Sequence, residues 1–308
     1  MIDITLLGTS ALLPLPDRAL TAMMLTCAGH RILFVCGEGT QSAARKAGAN
    51  VINADIIALT HYHGDHIFGL PGLLQTMFCM NRANPLTILG PAGLREAMEP
   101  ILALAGWLPF EVRLAELPPE GARLSDFGPG WPAAARLTAF PTKHRVVSQG
   151  YVFTLERAGK FLPERAKALG VPVTQWSLLQ KGEAVSLMDR TVRPEEVLGA
   201  PRRGLKVVFS GDTTACASLE EAAREADLFI CEGTYGGNDQ LELAVDHGHM
   251  TFAQAGELAA AAHARRLWLC HYSQMIQDPE DYLDNARAFF PEAVCGRDGM
   301  ALTLRFDE

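Results

Sequence analysis

Ala54-Asp55-Ile56-Ile57-Ala58-Leu59-Thr60 runs directly into His61-Tyr62-His63-Gly64-Asp65-His66. The first segment is short, apolar and β-branched, the pattern of a buried strand. The second puts three imidazoles and a carboxylate into six residues. A strand end has a period of two, so His61 and His63 share a side, and a turn through Gly64 can bring Asp65 and His66 round to face them. A lone histidine here would ordinarily be a hydrogen-bonded core or surface residue. Three with a carboxylate among them converge nitrogen and oxygen donors of the kind Zn²⁺ takes at ~2.0–2.2 Å. The stretch is read as a metal-binding loop at the C-terminal end of a strand.

The alternation of elements extends both ways. Upstream, Ile2–Leu13, Ala22–Cys27 and Arg31–Cys36 read as strands of an antiparallel meander, turning at Ala28-Gly29-His30, with a helix over Gln41–Ala47. Downstream come a helix over Ile67–Phe78, strand Leu86–Leu89, a helix from Pro91 to Ala105, and strands near Phe110–Leu117, Arg136–Phe140 and Gly150–Leu155. A later block reads strand Leu205–Ser210, helix Leu219–Ala226, strand Asp227–Cys231, helix Phe252–Ala264, strand Leu267–Cys270, helix Pro279–Phe290 and strand Ala301–Arg305. Ser218 with Glu221, Thr251 with Gln254, and Asp278 before Pro279 have the spacing of helix starts. Interleaved strands and helices in both halves predict an α/β fold with two sheets and helices outside. Glu156–Gly204, rich in Gly, Pro and charge, reads as an irregular insertion within one domain spanning 1–308.

The chain has 308 residues, 48% hydrophobic and 20% charged, with 28 Gly and 18 Pro, which excludes collagen-like and disordered classes. No apolar stretch approaches the ~18 residues of a membrane span, and Met1–Thr5 lack the basic and apolar regions of a secretion signal. The seven cysteines are odd in number and form no CxxC pair, so reduced thiols in a cytoplasmic protein are expected. The formal charge of −8 hides an asymmetry. Lys143–Lys206 holds 12 Lys and Arg against 6 Asp and Glu, and the rest of the chain 15 against 29. That segment is either a solvated surface or one suited to a phosphate backbone.

Thr60-His61-Tyr62-His63-Gly64-Asp65-His66-Ile67-Phe68-Gly69-Leu70-Pro71-Gly72-Leu73 resembles the histidine motif of the metallo-β-lactamase superfamily, and its continuation that of the ribonuclease Z branch. The likeness continues through Leu7-Gly8-Thr9, Cys36-Gly37-Glu38-Gly39-Thr40-Gln41, Gly90-Pro91, His144, Gly150-Tyr151, Ser210-Gly211-Asp212-Thr213, Gly248-His249-Met250-Thr251 and His271-Tyr272-Ser273, and so covers nearly the whole chain. The sequence departs from the family pattern at Ala19 (usually Asn), Val35 (usually Asp), Cys231 (usually His), Val173–Trp176 (usually a Pro-Gly-Pro-type turn) and Met275-Ile276 (usually Arg-Tyr).

The resemblance implies an αββα sandwich and two Zn²⁺ per subunit, with Mn²⁺ or Fe²⁺ also compatible with such donors. One ion would be held by His61, His63, His144 and Asp212, the other by Asp65, His66, His271 and the shared Asp212. On its own, Asp212 at the end of Val207-Val208-Phe209-Ser210 could equally be a helix N-cap. Asp65 is then the general base, His249 the proton donor, and Glu232 an acid that orients or charges it, while Thr251 reads as a helix cap. The implied activity is endoribonucleolytic removal of the 3′ trailer from precursor tRNA, leaving a 3′-hydroxyl. The implied partners are precursor tRNA and a second subunit, with 156–204 as a basic arm gripping the tRNA elbow. Alternatives are a phosphodiesterase of the same fold acting on a small or cyclic diester or another RNA 3′ end, and a nucleic-acid-binding relative with slow catalysis.

Overall fold

The computed structural model of the chain describes residues 1–307. In the first sheet, β1 (Ile2–Gly8), β2 (Ala22–Cys27) and β3 (His30–Phe34) form the antiparallel meander. Its two-residue turn has positive φ at both Ala28 (52°) and Gly29 (88°), the geometry that matches the twist of a hairpin. β4 (Ile56–Ala58), β5 (Leu86–Leu89) and β6 (Val112–Ala115) continue in parallel from β3. Helices α1 (Thr40–Lys46), α2 (Gly64–Ile67), α3 (Leu70–Cys79) and α4 (Leu94–Ala105) lie between these strands in sequence. The expected helix after the histidines is thus two helices, broken at Phe68-Gly69.

The second sheet begins with β7 (Ala122–Arg123), β8 (Ala135–Pro141) and β9 (Gln149–Arg157). After β9 the chain leaves the sheet. It forms α5 (Pro163–Ala168), α6 (Trp176–Gln180), the hairpin β10 (Val185–Ser186) with β11 (Thr191–Val192), and α7 (Pro194–Val197). This stretch is not irregular. Ala166, Val171, Leu179, Val185, Val192 and Val197 are buried together in a core of their own. The Trp176 indole packs 5.3 Å from Phe161 and donates to the Val171 carbonyl at 3.0 Å. Elements of two to six residues are too short to show a periodicity, so the sequence pattern missed them.

The chain returns as β12 (Arg202–Phe209), antiparallel to β9, and continues in parallel through β13 (Leu228–Glu232), β14 (Leu267–Cys270) and β15 (Ala293–Cys295). Helices α8 (Ala217–Ala223), α9 (Leu241–His247), α10 (Phe252–Ala261) and α11 (Leu283–Arg287) accompany them, and β16 (Ala301–Leu304) closes onto β1. Alternation along the strands makes the layers. Val207, Phe209, Leu228, Ile230 and Trp268 face the first sheet, while Val208, Phe229, Cys231 and Leu269 pack with Leu219, Phe252, Ala255 and Leu283 of the helices. Phe34 joins the two sheets, 5.6 Å from both Tyr151 and Phe209. The result is an αββα sandwich.

Two helix starts follow the sequence. Thr251 and Gln254 form the reciprocal capping box, and Asp278 caps the turn at Pro279. The third does not: α8 begins after Cys216, and Ser218 Oγ donates to the Pro141 carbonyl instead. Cys27, Cys36, Cys231, Cys270 and Cys295 are buried, Cys216 is half-buried and Cys79 exposed; all are free thiols. Among the described residues no helix is long and apolar enough to cross a membrane.

Candidate metal centre

Parallel strands end on one edge of the sandwich, and the chemistry sits at their C-terminal ends. β4 delivers His61–His66, the β8–β9 connection His144, β12 Asp212, β13 Glu232 and β14 His271. The loop at 36–38 fixes the first group. Cys36 N donates to the His66 carbonyl at 2.7 Å, and a Cβ at Gly37 would lie 2.0 Å from the Asp65 carbonyl, so no side chain fits there.

The seven residues expected as ligands come together in two sets. Donor atoms of His61, His63 and His144 lie within 4.8 Å of one another, as do those of Asp65, His66, Asp212 and His271. Asp212, 3% exposed, joins the sets: its oxygens are 3.7 Å from His61 Nε2, 3.4 Å from His66 Nε2 and 3.3 Å from His271 Nε2. It caps no helix, since α8 starts five residues later, at Ala217. Asp65 Oδ2 lies 3.5 Å from His66 Nε2 and 3.6 Å from His271 Nε2, and accepts the Leu12 N–H at 3.0 Å.

The donor set fits divalent cations. His144 Nδ1 is 2.8 Å from the Gly248 carbonyl, which can only accept, so Nδ1 carries the proton and Nε2 turns its lone pair inward. Thr234 Oγ1 gives its one proton to Glu232 Oε2 at 2.7 Å and therefore accepts from His271 Nδ1 at 3.0 Å, which likewise leaves His271 Nε2 as a lone pair. His271 Nε2 and His66 Nε2 are buried without a hydrogen-bond partner. Such orphaned ring nitrogens are rare in a folded interior unless an ion completes them. Burial and neighbouring imidazoles push His61 and His63 below the ordinary histidine value, keeping them neutral. Burial opposes charge on His66, yet Asp212 and Asp65 push it up to about 10: the carboxylates create a field that demands a cation. His271 also adopts a left-handed backbone, φ 60°, which costs ~1–3 kcal/mol for a non-glycine and aims the ring into the cluster. The cluster is a candidate divalent-metal centre.

His249 stands beside it, its ring 5.0 Å from His144 and 5.4 Å from His271. Its Nδ1 meets Glu232 Oε1 at 3.0 Å, and although burial opposes the charge, Glu232 pushes His249 up to about 9. Glu232, 1% exposed, also accepts from the backbone N–H of Thr213 (2.6 Å) and Met250 (3.1 Å). It is enclosed and fully engaged, so it orients His249 rather than reaching a substrate.

Several participants escaped the sequence. Thr60 Oγ1 pairs with Nδ1 of both His61 (3.1 Å) and His66 (3.4 Å). Gly248, at φ 79° after α9, leaves no room for a Cβ, which would sit 2.8 Å from His144 Nδ1. His247 is half-buried, with its Nδ1 2.6 Å from the Tyr235 hydroxyl. Thr234 is the most connected. Thr234→Val removes at once a donor to Glu232 and the acceptor of His271. We expect a loss of about 1–3 kcal/mol in stability and about 10–100-fold weaker metal binding, read by thermal unfolding and by metal titration.

Comparisons with known proteins agree with this geometry. A model of the β-lactamase superfamily domain matches residues 30–272. A ribonuclease Z of Lachnospira eligens is 42% identical over 308 residues, covering 100% of this chain and 99% of the relative; one of Lachnoclostridium phytofermentans is 41% identical over 310 residues, covering 100% and 99%. The crystal structure of the short form of human tRNase Z superposes with a TM-score of 0.68 at 27% identity, covering 99% of this chain and 100% of that one. The chain belongs to the ribonuclease Z family of the β-lactamase superfamily.

Proposed function

We propose that the chain is an endoribonuclease that cuts precursor tRNA just after the discriminator nucleotide, leaving a 3′-hydroxyl on the tRNA and a 5′-phosphate on the trailer. The observation that carries this reading is full-length similarity to ribonucleases Z in a chain whose seven candidate ligands converge at one sheet edge. His61, His63 and His144 would hold one ion, Asp65, His66 and His271 a second, with Asp212 between them; Zn²⁺ suits the donors best and Mn²⁺ or Fe²⁺ also fit. When bound, such a pair polarises the scissile phosphate and lowers the pKa of water toward neutrality.

The chain's own residues supply positioning and proton transfer. Asp65 has Oδ2 anchored by Leu12 N–H, leaving Oδ1 to accept the proton of the attacking water. His249 has Nδ1 held by Glu232, which leaves Nε2 toward the RNA. As the water oxygen bonds to phosphorus and the P–O3′ bond breaks, Nε2 delivers its proton to the departing ribose oxygen. Likeness to the family extends the reading to a cytoplasmic homodimer, with residues 156–204 of one subunit touching the tRNA elbow.

Incubating zinc-loaded protein with a precursor tRNA carrying a 3′ trailer, and mapping both new ends, tests the proposal. A single cut after the discriminator is expected. An intact precursor alongside rapid turnover of bis(p-nitrophenyl) phosphate would favour the small-diester alternative.

A further inference from the structure

Thr60 is the last residue before the histidine cluster, and both its backbone and its side chain are held in place. It is fully buried. Its carbonyl accepts the Gln149 N–H at 2.9 Å, and the preceding Leu59 carbonyl accepts the Tyr151 hydroxyl at 2.7 Å. β9 of the second sheet thus fixes the chain as it leaves β4 of the first. A Cβ at Gly211 would lie 2.8 Å from Thr60 Cγ2, so the threonine methyl fills the place that a side chain at 211 would need. A branched Cβ restricts χ1. With the methyl seated against Gly211, the hydroxyl is left facing the imidazoles.

That hydroxyl meets two rings. Oγ1 is 3.1 Å from His61 Nδ1 and 3.4 Å from His66 Nδ1, and among the described residues it has no other hydrogen-bond partner. His61 belongs to one set of donors and His66 to the other. Their Nε2 atoms turn inward, 3.7 Å and 3.4 Å from Asp212 Oδ2. A ring that offers Nε2 as a lone pair carries its proton on Nδ1, and a hydroxyl oxygen has two lone pairs, enough to accept from both. His144 and His271 each have an acceptor of their own, the Gly248 carbonyl and Thr234. His61 and His66 share one.

We propose that Thr60 is a positioning residue common to both ions, its single hydroxyl setting the tautomer and ring orientation of one histidine in each set. This rests on the two-ion reading above. The partner at the far nitrogen of a ligating imidazole keeps the ring from turning its carbon edge inward and makes the ligating nitrogen more basic. Removing the Thr60 hydroxyl therefore weakens both sites at once, whereas Thr234→Val acts, among the expected ligands, on His271 alone.

The test is titration of the metal-free protein with Zn²⁺ against a chromophoric chelator, which resolves the two binding steps. In Thr60→Val, which keeps the branched Cβ and the methyl, both steps are expected to weaken by about 10–100-fold. Thr60→Ser, which keeps the hydroxyl, is expected to bind within a few-fold of wild type. Thermal unfolding of the metal-free forms separates these effects from a loss of fold. Wild-type affinities in Thr60→Val, weakening of one step alone, or equal weakening in Thr60→Ser would each overturn the proposal. Nitrogen NMR of the imidazoles in the Zn²⁺-loaded wild type provides a reading that needs no variant: Nδ1 is expected to be protonated on both His61 and His66, and a bare Nδ1 on either is the contrary result. A wild type that takes up no Zn²⁺ defeats the metal centre itself, whereas two bound ions and an indifferent Thr60→Val defeat only the shared role.

Discussion

Asp212→Ala abolishes RNA cleavage, with kcat/KM lower by at least about a thousandfold, and the purified variant no longer retains two metal equivalents. The size of the effect follows from position. Asp212 is the one carboxylate within 3.7 Å of His61, His66 and His271, and so the one side chain common to both ligand sets. Burial opposes its charge, but the surrounding imidazoles hold its carboxyl well below the usual range. Without it the cluster keeps its nitrogens and loses the countercharge that favours cations. Because a buried charged group loses its partner, the metal-free variant is also expected to be less stable by about 3 kcal/mol. Elemental analysis of the purified variant, chemical denaturation and a cleavage assay read the three consequences separately. Wild-type metal content in Asp212→Ala would show that the two sets are held independently.

His249→Ala separates proton transfer from metal binding. It is expected to lower kcat by about 10²–10⁴-fold with KM within a few-fold, while both metal equivalents are retained. His249 Nδ1 is occupied by Glu232, and every expected ligand lies in one or other of the two sets without it. If metal content fell with activity, His249 would be a ligand, and its place within 4.8 Å of His144 and Asp212 donor atoms would explain why. The companion change Asp65→Ala removes the proposed ligand and proton acceptor together, so cleavage is expected to be lost while RNA binding persists.

Part of this candidate centre was legible because its residues follow short apolar strands. β4, β12 and β14 each carry a run of buried aliphatic or aromatic residues, and His61, Asp212 and His271 come one to three positions after their last residues. The residues themselves point to the cluster at His61–His66; Asp212, which could equally have been a helix cap, His271, and His144 in the β8–β9 connection were singled out by the resemblance.

What the sequence could not disclose is what meets across the fold. The Gly248 carbonyl is 104 positions from the His144 ring it orients, and Thr234 is 37 from His271. Neither partner carries a local pattern. The Ser218 expectation failed for the same reason: a tertiary acceptor, the Pro141 carbonyl 77 positions away, competes with the helix terminus for its hydroxyl. Val35, where the family usually has Asp, sits in a left-handed conformation at φ 54° and donates its N–H to the Ala58 carbonyl. A β-branched residue is costly in that region, and the hydrogen bond and full burial of Val35 hold it there. The charge over 143–206 was misleading in another way: Lys143 and Arg145 flank His144, and Arg202, Arg203 and Lys206 belong to β12, so little of the excess lies on the arm itself.

Anomalous X-ray scattering from crystals of the metal-loaded protein addresses the two-ion centre most directly. Two peaks are expected about 3.5–4 Å apart. The first should lie about 2.0–2.2 Å from nitrogens of His61, His63 and His144, the second at similar range from Asp65, His66 and His271, with an oxygen of Asp212 reaching both. No ion in this cluster after loading, or ions ligated only by other residues, would contradict it.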